Sequence, residues 1–161
     1  MNYYKILNGL QSCHGGNHTW KIGEWVEVQG EIVPCSNGIH LCHPQDVIHW
    51  LHNDIYEAEH EGEIIESDDK VVVRKARIIS HCDNWNERTA RLFAVWCARQ
   101  VQHLMTDERS LIALVVAENF ANGLATRDEL LAAEDAARDA AWAARDAQTN
   151  KLMEILEGEW P

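Results

Sequence analysis

Basic residues are in short supply: 14 Lys and Arg stand against 26 Asp and Glu, a formal net charge of −12 over 161 residues. No acidic tail accounts for the excess, since 6 basic and 12 acidic residues occur up to Ser80, and 8 and 14 after it. A chain acidic along its whole length repels nucleic acid and anionic bilayers at long range, which excludes a protein that tracks a DNA or RNA backbone. Long apolar runs are missing too. Met1-Asn2-Tyr3-Tyr4-Lys5 does not lead into the apolar segment of an export signal, and no later stretch is apolar over the roughly 20 residues a bilayer requires. The expectation is a cytoplasmic protein without membrane contact. Cysteines number five, an odd count with uneven spacing, so reduced thiols are expected in place of a disulfide framework. The length suits one domain, or two small units sharing a core.

What is present gathers between Cys35 and Glu59. Cys35-Ser36-Asn37-Gly38 has the composition of a tight turn, and Ile39-His40-Leu41-Cys42 alternates as a short strand does. Pro44 then opens a helix, where its missing N–H had no partner to lose, and Asp46 places negative charge near the positive helix end. Val47, Trp50 and Leu51 give that helix an apolar face, Asn53-Asp54 ends it, and Ile55 to Glu59 returns as a strand. Upstream, Tyr3 to Leu7 predicts a first strand, and the polar, Gly-rich Ser12 to His18 a loop. Trp25 to Val28 and Glu31 to Val33 predict a hairpin about Gln29-Gly30. Downstream, Glu63 to Ile65 predicts a short strand and Lys70 to Ile79 a long one. Three successive valines, Val71, Val72 and Val73, require apolar neighbours on both faces of that strand.

At Cys82 the apolar period changes from 2 to about 3.6. The fold class expected is α+β: a small, mostly antiparallel β unit with one helix over residues 1–82, then a helical segment over residues 83–161. Asn84 with Glu87 forms a capping-box pattern, and Thr89, Leu92, Phe93, Trp96, Cys97, Val101 and Leu104 make one apolar stripe behind it. Asp107 caps a second predicted helix that Asn122-Gly123 stops. Thr126 with Glu129 is another capping box, and the chain then runs without Pro or Gly to Leu156. Ala133, Ala137, Ala140, Ala144 and Ala147 form a narrow seam on this alanine-rich helix, with Trp142 off it and Leu152, Met153, Ile155 and Leu156 beyond. Alanine buries little area against its own domain, so a homodimer or larger assembly through this helix is expected; a bundle with the first helix would use the same seam.

The chemistry-bearing residues sort as follows. Cys35, His40, Cys42 and His43 cluster, but six residues separate Cys35 from Cys42, unlike the short knuckles of structural zinc sites, so no metal and no cofactor is assigned. Cys13-His14 and Cys42-His43 are poor nucleophile–base pairs, because adjacent side chains on a strand point to opposite faces. The loop from Ser12 to Trp20 is the favoured ligand loop: its glycines expose backbone N–H groups able to hold an anion, which offsets the acidic surface locally. Candidate ligand-binding residues are His14, Gly15, Gly16, His18, Trp20, His40 and Trp50. Tryptophan in a small domain is chiefly a core residue, so Trp20, Trp25 and Trp50 are expected to pack before they bind.

Three resemblances follow from particular residues. His14-Gly15-Gly16, His40 after a glycine and Glu57-x-Glu59 partly resemble an ADP-ribosyltransferase site, although His40 stands where those enzymes carry Tyr or Ser. That resemblance implies an NAD-using enzyme with His14, His40, Glu57 and Glu59 catalytic; alternating Glu57, Glu59, Glu61 and Glu63 also fit a solvated acidic strand edge. Gly9-Leu10, Gly23-Glu24-Trp25, the run Cys35 to Cys42, Asp46-Val47 and Asp69-Lys70-Val71-Val72 resemble an uncharacterised domain widespread in phage and prophage proteins. Trp85 to Ala94 and Cys97-Ala98, followed by alanine-rich helix, are similar to bacterial helical proteins labelled immunity proteins. Together these imply a phage or mobile-element accessory protein, a non-enzymatic binder in phage–host conflict. Its partner would be a host or phage protein, or a small nucleotide-like signal; as an immunity protein it would neutralise a toxin.

Overall fold

A strand can be apolar at consecutive residues only where both its faces are covered, and Val71, Val72 and Val73, all fully buried, meet that condition. The computed structural model describes residues 3–156, with side chains described as far as Trp142. The chain divides into two compact units, Met1–Asn86 and Glu87–Pro161. In the first, strands β1 (Tyr3–Asn8), β2 (Gln11–Ser12), β3 (Val26–Glu27), β4 (Ile39–Leu41), β5 (Asp54–Glu66) and β6 (Val71–His81) form one antiparallel sheet. Their order is β2-β1-β5-β6-β3, and β4 also pairs with β6, Ile39 opposite Val73 and Leu41 opposite Val71. The sheet curls until its two sides meet: Tyr4 N–H donates to Cys42 O at 2.9 Å, and Cys42 N–H to Tyr4 O at 2.8 Å.

Strand alternation then produces two apolar layers. Leu7, Leu41 and Tyr56 join Trp20, Val71, Val73 and Ile78 in one cluster. Their sequence neighbours Ile6, Cys42 and Ile55 join Val47, Trp50, Leu51 and Trp85 in the other. Each fully buried Leu, Ile or Val contributes roughly 1.5–3 kcal/mol relative to exposure. Gly38 has no room for a side chain: its φ is 148°, and a Cβ there would run into Val72.

Several expectations need correction. The hairpin about Gln29-Gly30 does not form. Val26–Glu27 pairs instead with Ala76 and Lys75 of β6, and the Asn37 side-chain amide donates to both Gln29 O and Glu31 O at 2.8 Å, taking up carbonyls that a hairpin ladder would have used. The helix opened by Pro44 is a 3-10 helix, Pro44–His49. The two short strands expected around Gly62 are one strand, β5, with irregular pairing between Glu61 and Ile64. β1 pairs with that strand only from Asp54 to Ala58, so Glu57 lies inside the sheet, whereas Glu59, Glu61 and Glu63 have a neighbouring strand, β6, on one side only among the described residues, as the acidic-edge reading expects.

The unit boundary falls after Asn86 and not at Cys82, because Cys82 N–H bonds to Ile55 O (2.9 Å) and Trp85 Nε1–H to His52 O (2.8 Å). The second unit holds α1 (Glu87–Gln100), α2 (Glu108–Ala121) and α3 (Arg127–Leu156). α1 therefore begins later than a capping box at Asn84 implies, and it ends before a 3-10 turn at Gln102–Leu104 that takes Val101 and Leu104 out of the expected stripe. Asp107 caps α2 by accepting from Arg109 N–H at 2.9 Å. Thr126 and Glu129 form the capping box of α3, Glu129 Oε2 accepting from Thr126 N–H at 2.7 Å. α2 packs on both α1 and α3. Leu130 and Ala140 of α3 are buried and Ala133 and Ala137 half-buried, while Trp142 is exposed. Ala144, Ala147, Leu152, Met153, Ile155 and Leu156 lie outside the residues whose side chains are described. Among the described residues no helix is long and apolar enough to cross a membrane.

Candidate functional site

A cavity of about 550 Å³ opens in the first unit where β1, the loop after β2, and β4 converge. All seven residues expected to bind a ligand line it: His14, Gly15, Gly16, His18, Trp20, His40 and Trp50. The loop is pinned at its base by Ser12 N–H to His18 O (2.9 Å) and by the Thr19 hydroxyl to Gln11 Oε1 (2.8 Å). At its tip, His14 Nε2 lies 2.8 Å from Trp50 O. Gly15 and Gly16 follow with φ of 84° and 74°, conformations that favour glycine, and no atom stands within 4 Å of where a Cβ would be. Trp20 is 2% exposed and belongs to the core, its indole N–H donating to Ser12 Oγ at 3.1 Å. Trp50 is half-buried and donates to Asp69 O at 2.9 Å. Trp25 does not line the cavity; Lys75 and Arg77 each sit 4.6 Å from its ring.

Sequence reasoning passed over the two lysines of this cavity. Lys5 Nζ donates to His40 O at 2.9 Å and stands 5.3 Å from the Trp20 ring centroid. No carboxylate pairs with it among the described residues. Burial lowers its pKa to about 8, against the opposing pull of Cys42 and Cys13. Lys70 stands 4.7 Å from the Trp50 ring and pairs with Asp69 at 3.2 Å. One signal was available: Lys5 shares strand parity with Leu7, a position that should face the core. A lysine there needs a polar outlet.

His40 is set by the same burial. Cys35 N–H points at His40 Nε2 (3.4 Å), a contact suited to a ring that carries its proton on Nδ1. Burial first, then the charges of Lys5 and Lys70, hold its pKa below the usual value. Cys35 is the one non-glycine residue with positive φ (62°) among those described, local strain placed at the cavity wall. The cysteine chemistry fails on electrostatics: burial pushes the Cys42 thiol up to about 11 and raises that of Cys13. His43, moreover, pairs with Glu66 at 3.0 Å. Glu57 and Glu59 do not join His14 and His40, for neither lines the cavity. Glu57 accepts from Ser80 at 2.8 Å and Glu59 binds Arg77. No cluster of three or more His, Cys, Asp or Glu side chains suited to a metal occurs among the described residues.

Chemically the cavity is a cationic and aromatic recess in an acidic chain. Glu27, its one lining carboxylate, is exposed, whereas two lysines and three histidines line the same space. Residues 1–89 match a family described as a domain of unknown function, DUF7666. No curated protein and no solved structure matches the chain.

Proposed function

The chain belongs to the DUF7666 family, and from its cavity we propose that the first unit is a non-enzymatic binding module for a small anionic, nucleotide-like ligand. Lys5 carries this reading. An ammonium held over an indole without a carboxylate lacks a counter-charge, and an anionic ligand supplies one. Open Gly15-Gly16 backbone and the second lysine add donors to the same recess, and the half-buried Trp50 offers an aromatic wall. The phage and prophage likeness of the Cys35 to Cys42 run supports placing the module in phage–host conflict, where holding a nucleotide signal requires no catalysis.

We infer a separate role for the helical unit: self-association, with a second copy of the chain as partner. Trp96, Leu104, Ile112, Val115, Leu124 and Trp142 are all exposed by more than half or close to it. An immunity protein that neutralises a toxin would use such a surface for a foreign partner instead. The NAD-using alternative draws on His14 and His40 sharing a cavity, but Glu57 and Glu59 are engaged elsewhere.

Quenching of tryptophan fluorescence by adenosine 5′-monophosphate tests the first reading. Saturable quenching that weakens at least tenfold in His14→Ala/His40→Ala supports it. Unchanged fluorescence up to millimolar nucleotide, in a folded protein, overturns it.

A further inference from the structure

We propose that Lys5 is a nucleophilic amine, through which the cavity captures a small anionic aldehyde or ketone as a reversible imine. The inference deepens the anion-site reading and rests on it for the ligand's charge. Among the described residues, geometry isolates this lysine from the other three. Lys21 and Lys75 are ion-paired at the surface with Glu24 (3.1 Å) and Glu61 (2.6 Å), and Lys70 with Asp69. Lys5 lines the cavity with only a carbonyl, His40 O, and the Trp20 face against its Nζ. Its titratable neighbours, the Cys42 and Cys13 thiols with raised pKa and the His40 ring, offer no fixed negative charge at neutral pH.

An imine needs an amine with a free lone pair. With a pKa of about 8, roughly a tenth of Lys5 is neutral at pH 7, against under about a thousandth of an ordinary lysine. The lone pair adds to the carbonyl carbon, a C–N bond forms, and the carbonyl π pair moves to oxygen, which takes the proton leaving nitrogen. That oxygen takes the second nitrogen proton and leaves as water, its C–O bond breaking as the nitrogen lone pair forms C=N; hydrolysis reverses the sequence, and no oxidant or reductant enters. Lys70, lining the same cavity, supplies charge for the ligand's phosphate or carboxylate.

The full-length protein, treated with pyridoxal 5′-phosphate, reduced with sodium borohydride and mapped by peptide mass spectrometry, tests this. About one label per chain is expected on Lys5, ahead of Lys21, Lys70 and Lys75. Phosphate-free pyridoxal should label it at least tenfold less, and inorganic phosphate should protect. Lys5→Arg keeps the charge and the bond to His40 O but should take no label. Labels spread over Lys21 and Lys75 with none on Lys5 overturn the proposal. If phosphate binds, by calorimetry, while Lys5 stays unlabelled, the imine falls and the anion site stands. If pyridoxal labels Lys5 as well as its phosphate does, the amine stands and the anionic specificity falls.

Discussion

The two units solve the burial problem in opposite ways. Among the described residues, every buried apolar side chain lies in the sheet unit except Val95, Leu130 and Ala140. The helical unit instead leaves Trp96, Leu104, Ile112, Val115, Leu124 and Trp142 exposed. The curled sheet closes on itself and covers both faces of β6, so its stability is internal and it can hold a recess containing an uncompensated lysine. Alanine-rich helices bury too little per residue to do the same, and the self-association proposed above would cover the helical unit's exposed apolar side chains.

Cutting the chain should break the comparison most visibly. Residues 1–86 alone should unfold cooperatively as a monomer, whereas residues 87–161 alone should show no cooperative monomeric transition. Sedimentation combined with thermal unfolding checks both halves. Next in size are core substitutions. Leu41→Ala, at a fully buried position, should cost about 3 kcal/mol, while Ile112→Ala, 51% exposed, should stay within about 0.5 kcal/mol by urea titration. Gly38→Ala should cost about 1–3 kcal/mol, since its Cβ collides with Val72.

Lys5 gives a pH-dependent effect of opposite sign. Its folded pKa is depressed from 10.5 to about 8. The buried charge therefore costs stability in full below about 8, and the cost fades as pH rises towards 10.5. Lys5→Met should be more stable than the parent by up to about 3 kcal/mol at pH 7, with the gap closing above pH 10. A variant that is less stable at every pH would show that Lys5 is a structural pillar and not a strained site residue. The smallest effect belongs to His81, whose pKa is raised by Asp83 (2.7 Å) and Asp54 (3.2 Å). Its contribution is complete below its ordinary titration range and is lost as pH rises through the raised value; His81→Gln should flatten that slope in thermal scans.

The α+β class, the long helix and the converging loop residues were legible because they rest on local signals: apolar period, capping boxes and paired glycines. The hairpin at Gln29-Gly30 was not, because its first arm, Val26–Glu27, pairs with β6, distant in sequence, while the Asn37 side chain takes the carbonyls of Gln29 and Glu31. The role of Glu57 to Glu63 was legible in part: alternation marks a polar strand face, but it cannot say that β1 covers Glu57 and stops short of Glu59. Nor can it show the cations that balance these carboxylates: only the pairing of β5 with β6 brings Arg74, Lys75 and Arg77 to Glu63, Glu61 and Glu59. Lys5 was hidden by its type. A lysine in a first strand reads as surface until its parity with Leu7 is taken seriously.

The central claim is that the cavity binds anions through an unpaired lysine. Calorimetric titration with adenosine 5′-monophosphate and with uncharged adenosine, on the parent protein and on Lys5→Met, tests it most directly. The account predicts that the monophosphate binds at least tenfold tighter than adenosine, that added salt narrows the difference, and that Lys5→Met abolishes it. Equal affinity for both compounds, unchanged in Lys5→Met, would contradict it.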